Sequence, residues 1–243
     1  MEPAKQDIIQ DLRREILRLQ GLKAATTEIP EDFGLGAISH VFPQGVFPTG
    51  VVHELTTTES PMSATSGFAC YLLSRLMRRG TVSAWISTHR TLFPPALAGY
   101  GIEPDRILFI DAASGRDALW AMEEALRCDQ LAAVVGEVRD LDFTASRRLQ
   151  LAVEKSKVTG LVLRPPGSRL VQNACVSRWH ISSLPSAPSA GLPGVGHARW
   201  KVELLKMRGG KTGMWEMEWS PEALHILTPA KTPATADEWR KIG

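Results

Sequence analysis

The chain places small polar residues where a phosphate-binding loop would need them, but it lacks the lysine of such a loop. A predicted strand over residues 51–55, VVHEL, precedes residues 56–66, TTTESPMSATS, and a helical pattern follows. Phosphate binding uses a strand, a loop and a helix in this order, with Gly-Lys-Ser/Thr at the end of the loop. Here Glu59 places a carboxylate near the phosphate positions, and Pro61 removes a backbone donor. We expect a degenerate site without a cofactor, built from Thr56, Thr57, Thr58, Glu59, Ser60 and Ser63.

The carboxylates that ATP hydrolysis needs are also misplaced in the sequence. Magnesium coordination requires an acidic residue at a strand end. The candidate strand over residues 131–135 is followed by Gly136, so Glu137 comes one place late and alternation predicts that it faces the opposite side. The general base that should follow the preceding strand falls on residues 87–90, STHR, which contain no carboxylate. We therefore predict a pseudo-ATPase with no catalytic residues, and keep a divergent DNA-dependent ATPase or recombinase regulator as the alternative.

Other motifs do not indicate enzyme or metal chemistry. Gly210-Lys211-Thr212 is followed by WEMEW, which alternates like a strand, so a hairpin turn is predicted there. Cys70, Cys128 and Cys175 are far apart and have no histidine at ligand spacing. We expect no metal site and buried thiols in a reducing compartment.

Strand and helix patterns alternate through the middle of the chain, which predicts a mostly parallel sheet covered by helices on both faces. The predicted helices are 65–79, 116–128 and 142–157, and the predicted strands are 51–55, 81–86, 107–110, 131–135 and 160–163. After Arg164 the period becomes two, and residues 174–182, 200–205, 215–219 and 223–227 predict antiparallel hairpins. The fold class is therefore α/β with antiparallel strands at its C-terminal end.

The domain organisation follows from these patterns. Residues 1–40 are assigned to an N-terminal helix and arm, residues 41–228 to the core and residues 229–243 to a tail. Apolar residues of the first segment, Leu12, Ile16, Phe33 and Ile38, are expected to insert into a groove of a partner. Trp120 lies off the apolar face of helix 116–128, and we expect it to be partly exposed and to contact a partner.

The second half of the chain is basic, although the whole chain carries a formal net charge of only +2. Residues 139–211 contain thirteen lysines or arginines and four acids. Such a region attracts nucleic acid or an acidic partner, whereas solvated side chains on several faces give the same count. We predict weak DNA contact, with single-stranded DNA binding as a third alternative, through Arg147, Arg148, Arg164, Arg169, Lys206, Arg208 and Lys211.

The N-terminal sequence does not resemble a targeting segment. Residues 1–15 carry acids among their bases and lack an apolar stretch, and no apolar run in the chain reaches the length of a membrane span. We expect a cytoplasmic protein that does not bind membranes.

Several stretches resemble the ImuA family, which has a RecA-type fold. They include FPTGVVHEL at 47–55, DALWAMEEALR at 117–127, VVGE at 134–137 and SRRLQLA at 146–152, and the resemblance covers about Phe33 to Trp219. It implies a non-catalytic accessory protein of DNA-damage-induced mutagenesis. The implied partners are ImuB, a polymerase-like protein without polymerase activity, and an error-prone C-family DNA polymerase. Residues 33–38, FGLGAI, resemble the arm by which RecA proteins bind the next protomer, which implies RecA or a second copy as a further partner.

Overall fold

The computed structural model describes residues 33–77, 81–186, 196–221 and 223–227. The predicted N-terminal helix with Leu12 and Ile16, and the predicted tail 229–243, lie outside the described residues. Within the described ranges, no helix is long and apolar enough to cross a membrane.

The described strands form a mixed sheet with a parallel part and an antiparallel part. They are β1 Val52–Thr56, β2 Val82–Ser87, β3 Ile107–Asp111, β4 Leu131–Glu137, β5 Thr159–Arg164, β6 Ser177–Leu184, β7 Ala198–Met207, β8 Gly213–Trp219 and β9 Leu224–Ile226. Their spatial order is β3-β2-β4-β5-β1-β6-β7-β8-β9. The strands from β3 to β6 in this order are parallel, and β7, β8 and β9 add antiparallel pairs. The predicted change from crossover units to hairpins is confirmed.

Among the described residues, three α-helices cover the parallel strands, and two of them begin at a side-chain cap. They are α1 Ser63–Leu76, α2 Gly115–Leu126 and α3 Phe143–Ser156, joined by shorter 3₁₀ segments such as Pro94–Tyr100. The Ser114 hydroxyl accepts a hydrogen bond from the Asp117 N–H, and the Asp142 carboxylate accepts one from the Ala145 N–H. These caps satisfy N–H groups that a helix start leaves unpaired, so the sequence itself sets where α2 and α3 begin.

The two faces of the sheet carry different cores. Against α1 the core is rich in aromatic residues, and the rings of Phe68 and Trp179 lie 5.7 Å apart. Against α2 and α3 the core is smaller and aliphatic, with Met122, Leu126 and Leu149 fully buried. The aromatic core extends beneath the antiparallel strands, where Trp200 and Trp215 are buried.

The arm residues Phe33 and Ile38 are part of this chain's own core, which corrects the prediction that they insert into a partner. Their exposed fractions are 5% and 0%. The Phe33 ring packs on Phe47 at 4.7 Å, and the Phe33 carbonyl accepts a hydrogen bond from the Tyr71 hydroxyl. At Gly34 (φ +64°) an added Cβ would lie 2.6 Å from that hydroxyl. The Gly-x-Gly pattern therefore allows the arm to fold back closely on α1.

The Gly-Lys-Thr sequence at 210–212 lies in the turn between β7 and β8, as predicted. The Lys211 N–H donates a hydrogen bond to the Val41 carbonyl. At Gly210 an added Cβ would lie 2.3 Å from the same carbonyl oxygen. The glycine is thus required for the close approach of the turn to the segment that follows the arm.

Candidate functional site: a cavity at the degenerate nucleotide loop

The loop between β1 and α1 occupies the position of a phosphate-binding loop in the strand order. Residues 57–62, TTESPM, connect the two elements and contain no lysine. The first residue of α1 is Ser63, and no side chain caps this helix start. The Thr56 hydroxyl donates to the Trp179 carbonyl, and the Thr57 hydroxyl accepts from the Glu59 N–H. These hydroxyls are therefore engaged in holding the loop.

The Glu59 side chain binds to β6 instead of occupying the phosphate positions, which corrects the expectation from the sequence. Its two carboxylate oxygens accept hydrogen bonds from the Ser183 N–H at 2.9 and 3.0 Å. The Ser183 hydroxyl donates to the same carboxylate at 2.5 Å. Glu59 thus ties the loop to the neighbouring strand, and the loop residues that line the adjacent cavity are Ser60, Pro61 and Met62.

The cavity lies between this loop, the ends of β2 and β4, and the connection from β5 to β6. Its volume is about 710 Å³. The walls combine apolar side chains with a few polar groups, and they are Ser60, Pro61, Met62, Ser63, Ser66, Gly67, Cys70, Thr88, His89, Thr91, Leu92, Phe93, Ala96, Tyr100, Gly115, Glu137, Arg139, Asp140, Pro165 and Pro166. A size within roughly 300–1,000 Å³ and apolar walls with few polar groups are typical of ligand sites.

Glu137 faces this cavity, which corrects the prediction that it lies on the opposite side of the sheet. Strand β4 does not stop at Val135 but continues to Glu137. Ala133 and Val135 belong to the core against α1, so alternation places Glu137 on that face as well. The residue between, Gly136, faces α2, where an added Cβ would lie 2.5 Å from the Met122 sulfur.

The carboxylate of Glu137 is half-buried, and its hydrogen bonds come from neutral donors. The Trp85 Nε1–H donates to Oε1 at 3.1 Å, and the Thr91 hydroxyl lies 3.4 Å from the same oxygen. Burial raises the pKa of Glu137 above its ordinary value, while these two hydrogen bonds and the nearby His89 lower it.

The position after β2 offers no carboxylate, as the sequence indicates. The Thr88 hydroxyl and His89 Nδ1 lie 2.9 Å apart. The Arg90 guanidinium is held by Asp111, with Nε 2.9 and 2.8 Å from the two carboxylate oxygens. Residues 87–90 therefore place a histidine and an arginine at this strand end, and no carboxylate. Within the described residues, no group of three histidines, cysteines or acids is placed to hold a metal ion.

Arg164 is a buried structural residue, which corrects its assignment to DNA contact. Its exposed fraction is 1%, and its guanidinium donates to Glu54 Oε1 at 2.8 Å. The other oxygen of Glu54 accepts from Asn173 at 2.8 Å and from Arg178 at 2.6 Å. We call these four residues the Glu54 cluster. Burial lowers the pKa of Arg164, and the carboxylate of Glu54 raises it.

Lys206 and Arg208 also support the connection between β5 and β6. Lys206 Nζ donates to the Asn173 carbonyl, and the Arg208 guanidinium donates to the Ala174 carbonyl, both at 2.9 Å. Arg164 and Arg178 likewise donate to backbone carbonyls of this connection. The basic character of the second half is thus partly internal, because these cations bind the carbonyls of one loop.

The remaining residues assigned to DNA contact are exposed but lie on three different elements. Arg147 and Arg148 are on α3 and pair with Glu154 at 3.8 Å and with Glu123 at 2.5 Å. Arg169 is on the connection from β5 to β6, and Lys211 is in the turn between β7 and β8; both side chains are exposed. Their role in binding DNA stays a prediction.

Trp120 is exposed, as predicted. Its exposed fraction is 62%, although it lies in the middle of α2. A large aromatic side chain in water is the kind of residue that protein interfaces use as an anchor. The contact of Trp120 with a partner stays a prediction.

A buried series of hydrogen bonds, which the residue patterns do not indicate, links β6 to His53 of β1. The Trp179 Nε1–H donates to Ser177 Oγ at 2.7 Å, and Ser177 Oγ lies 2.6 Å from His53 Nδ1. His53 Nε2 lies 2.8 Å from the Pro48 carbonyl, so Nε2 carries the proton and Nδ1 accepts. Burial lowers the pKa of His53 to about 4. A neutral histidine is therefore buried near the start of β1.

The strand order, the helices on both faces and the antiparallel strands after β6 define a RecA-like α/β protein. Among solved structures, a KaiC-like protein from the hyperthermophilic archaeon Pyrococcus horikoshii OT3 is similar, with a TM-score of 0.54 and 13% sequence identity. The alignment covers 82% of this chain and 99% of that chain. At this identity the likeness shows the fold alone.

The sequence comparisons define the family. The chain is 37% identical over 206 residues to Protein ImuA from two strains of Caulobacter vibrioides, which covers 79% of this chain and 84% of the relative. A shorter match of 31% over 81 residues is to the cell division inhibitor SulA of Photorhabdus laumondii, covering 33% of this chain and 46% of that protein. No family model matches the chain. The chain belongs to the ImuA family, and this relationship supports a role in DNA-damage-related mutagenesis.

Proposed function

We propose that this chain is a non-catalytic, RecA-like adaptor in DNA-damage-induced translesion synthesis. It assembles with an ImuB-type polymerase-like protein and an error-prone C-family DNA polymerase. The observation that carries the non-catalytic part is the loop between β1 and α1, which has no lysine and is tied to β6 through Glu59. A lysine contact to phosphate contributes about 1.5–3 kcal/mol as a charge-assisted bond, and this loop has no residue that replaces it.

Association with partners then depends on exposed side chains instead of the arm. Phe33 and Ile38 are buried in the chain's own core, whereas Trp120 is exposed on α2. Replacing Trp120 with alanine should weaken binding to the ImuB-type protein or to the polymerase by about tenfold or more, because interface tryptophans often contribute ~2 kcal/mol.

The measurement is co-purification of the full chain with each partner, followed by titration of the pair that forms. Phe143→Ala is the matched control, because Phe143, the first residue of α3, is an exposed aromatic residue like Trp120. We expect wild type and Phe143→Ala to bind equally without added nucleotide, and Trp120→Ala to bind more weakly. Absence of association with both proteins would contradict the proposal.

A divergent ATPase is the second candidate, and Glu137 favours it. A carboxylate at the end of β4 that faces the loop is one of the groups that magnesium coordination requires. The lysine and the carboxylate after β2 are still lacking. ATP turnover by the purified chain that is lost in Glu137→Gln would establish this candidate in place of the adaptor.

A further inference from the structure

Glu137 has no cationic partner within the described residues, although it lies in the wall of a large cavity. Its hydrogen bonds come from Trp85 and Thr91, and both reach Oε1. Oε2 accepts no hydrogen bond from the part of the chain that the structure describes. This oxygen is therefore open to a hydrogen bond from a group that enters the cavity, and a cationic donor would form the stronger, charge-assisted bond.

The charged groups around the cavity do not compensate this carboxylate directly. The Arg139 guanidinium donates a hydrogen bond to the Pro166 carbonyl at 3.1 Å. Asp140 adds a second acid to the lining, and His89 is the remaining basic group there. Arg90, which follows β2, is held by Asp111. The hydrogen bonds that Glu137 receives from described residues come from neutral donors, so a cationic group that enters the cavity would be its first direct ion-pair partner among them.

The walls of the cavity suit the aliphatic part of a long basic side chain. Pro61, Met62, Leu92 and Phe93 line it, and Phe93 is itself exposed at 67%. Arginine and lysine bury their methylene stems on apolar surface and place their charge at the tip. Apolar walls beside an acid match this distribution of methylene stem and terminal charge.

We propose that the cavity receives an arginine or lysine side chain presented by a partner protein, with Glu137 as the acceptor of its charge. The inference rests on the proposed function, in which the degenerate site holds no nucleotide and the chain works by binding proteins. It gives Glu137 a role in recognition and makes the former nucleotide position a docking site for a basic segment.

The test uses short capped peptides and the indole signal of Trp85. Acetyl-Gly-Arg-Gly-amide is titrated into the full chain, and acetyl-Gly-citrulline-Gly-amide serves as a neutral peptide of the same shape. Because the Trp85 Nε1–H donates to Glu137, its NMR resonance reports on a cation at that carboxylate. The indole N–H resonance that is missing from the spectrum of Trp85→Phe is assigned to Trp85. We expect the arginine peptide to shift it saturably and the citrulline peptide to leave it unchanged.

Two variants separate the carboxylate from general charge. Glu137→Gln keeps the acceptor for Trp85 and removes the charge, and we expect it to weaken binding of the arginine peptide about tenfold or more. Glu154→Gln is the matched control, because Glu154 is a partly exposed acid on α3 outside the cavity lining. It should bind like wild type. Binding to wild type should also weaken as salt is added, which tests the charge pair without any variant.

Three outcomes would overturn this inference. They are equal binding of both peptides, the same affinity for Glu137→Gln and wild type, and no Trp85 shift at millimolar arginine peptide. Self-association that depends on Glu137, measured by sedimentation, would show that the basic group comes from a second copy and would overturn the partner assignment. A Trp85 shift caused by ATP and magnesium would contradict the proposed function as well, whereas failure of the peptides alone would leave that function intact.

Discussion

Glu54 is a fully buried carboxylate that organises the basic residues around it. It accepts hydrogen bonds from Arg164, Asn173 and Arg178, and the two arginines also bind carbonyls of the connection between β5 and β6. Removing one member of a buried ion pair leaves the other charge uncompensated, and this is costlier than the pair is stabilising. Arg164 therefore stabilises the fold from the interior, whereas the side chain of Arg169 is exposed at the surface.

Arg164→Ala should lower the free energy of unfolding by about 3–5 kcal/mol, because the buried carboxylate of Glu54 would lose one of its two arginine partners. Arg169→Ala, on the same connection but exposed, should change it by no more than about 0.5 kcal/mol. Urea denaturation of both variants measures this difference. An Arg164→Ala protein as stable as wild type would show that the Glu54 cluster does not hold the fold together.

His53 predicts a pH dependence of stability. Its pKa is about 4 in the folded chain and about 6.5 in the unfolded chain, so the unfolded chain takes up the proton first as the pH falls. The contribution is intact above pH 6.5, is lost progressively between about pH 6.5 and 4, and reaches roughly 3 kcal/mol. NMR titration of the histidine resonances checks this directly. A His53 signal that titrates near its ordinary pKa would contradict it.

Part of the candidate site was predictable from single residues and part was not. The missing lysine, the absent carboxylate after β2 and the exposure of Trp120 follow from residue type and helical spacing. The Glu54 cluster does not, because Glu54 and Arg164 are 110 positions apart and meet only when β1 and β5 align in parallel. Pairing of distant charges depends on strand order, which residue patterns do not specify.

At the scale of elements, the patterns placed the described helices and strands within a few residues of their observed bounds. The face of Glu137 was predicted incorrectly because β4 was expected to end at Val135. The strand continues through Gly136, whose missing side chain leaves room for Met122 of α2. A glycine that permits close packing inside a strand resembles a strand end in the sequence.

The arm was also misread, because its short apolar pattern is equally compatible with packing on the chain's own core. Ile38→Ala should lower the free energy of unfolding by about 2–5 kcal/mol, since Ile38 is fully buried among aromatic and aliphatic side chains. Leu151→Ala, at an exposed position of α3, should have a much smaller effect. Thermal unfolding of the two variants gives the comparison. Unchanged stability of Ile38→Ala together with lost partner binding would restore the original interpretation of the arm.

At the scale of the whole molecule, the chain combines a RecA-like sheet with a nucleotide position that lacks the phosphate-binding residues. Glu59 binds the loop between β1 and α1 to β6, and Lys206 donates a hydrogen bond to a carbonyl of the connection after β5. Glu137 lines the cavity. These features agree with a protein that acts through its surfaces. The similarity to Protein ImuA supports a role in DNA-damage-related mutagenesis.

The most direct test of this account is calorimetric titration of the purified full chain with ATP and magnesium, with and without single-stranded DNA. The account predicts no saturable binding of nucleotide under either condition, because the loop offers no lysine for the phosphates. Saturable ATP binding that disappears in Glu137→Gln would contradict the account and establish a working nucleotide site.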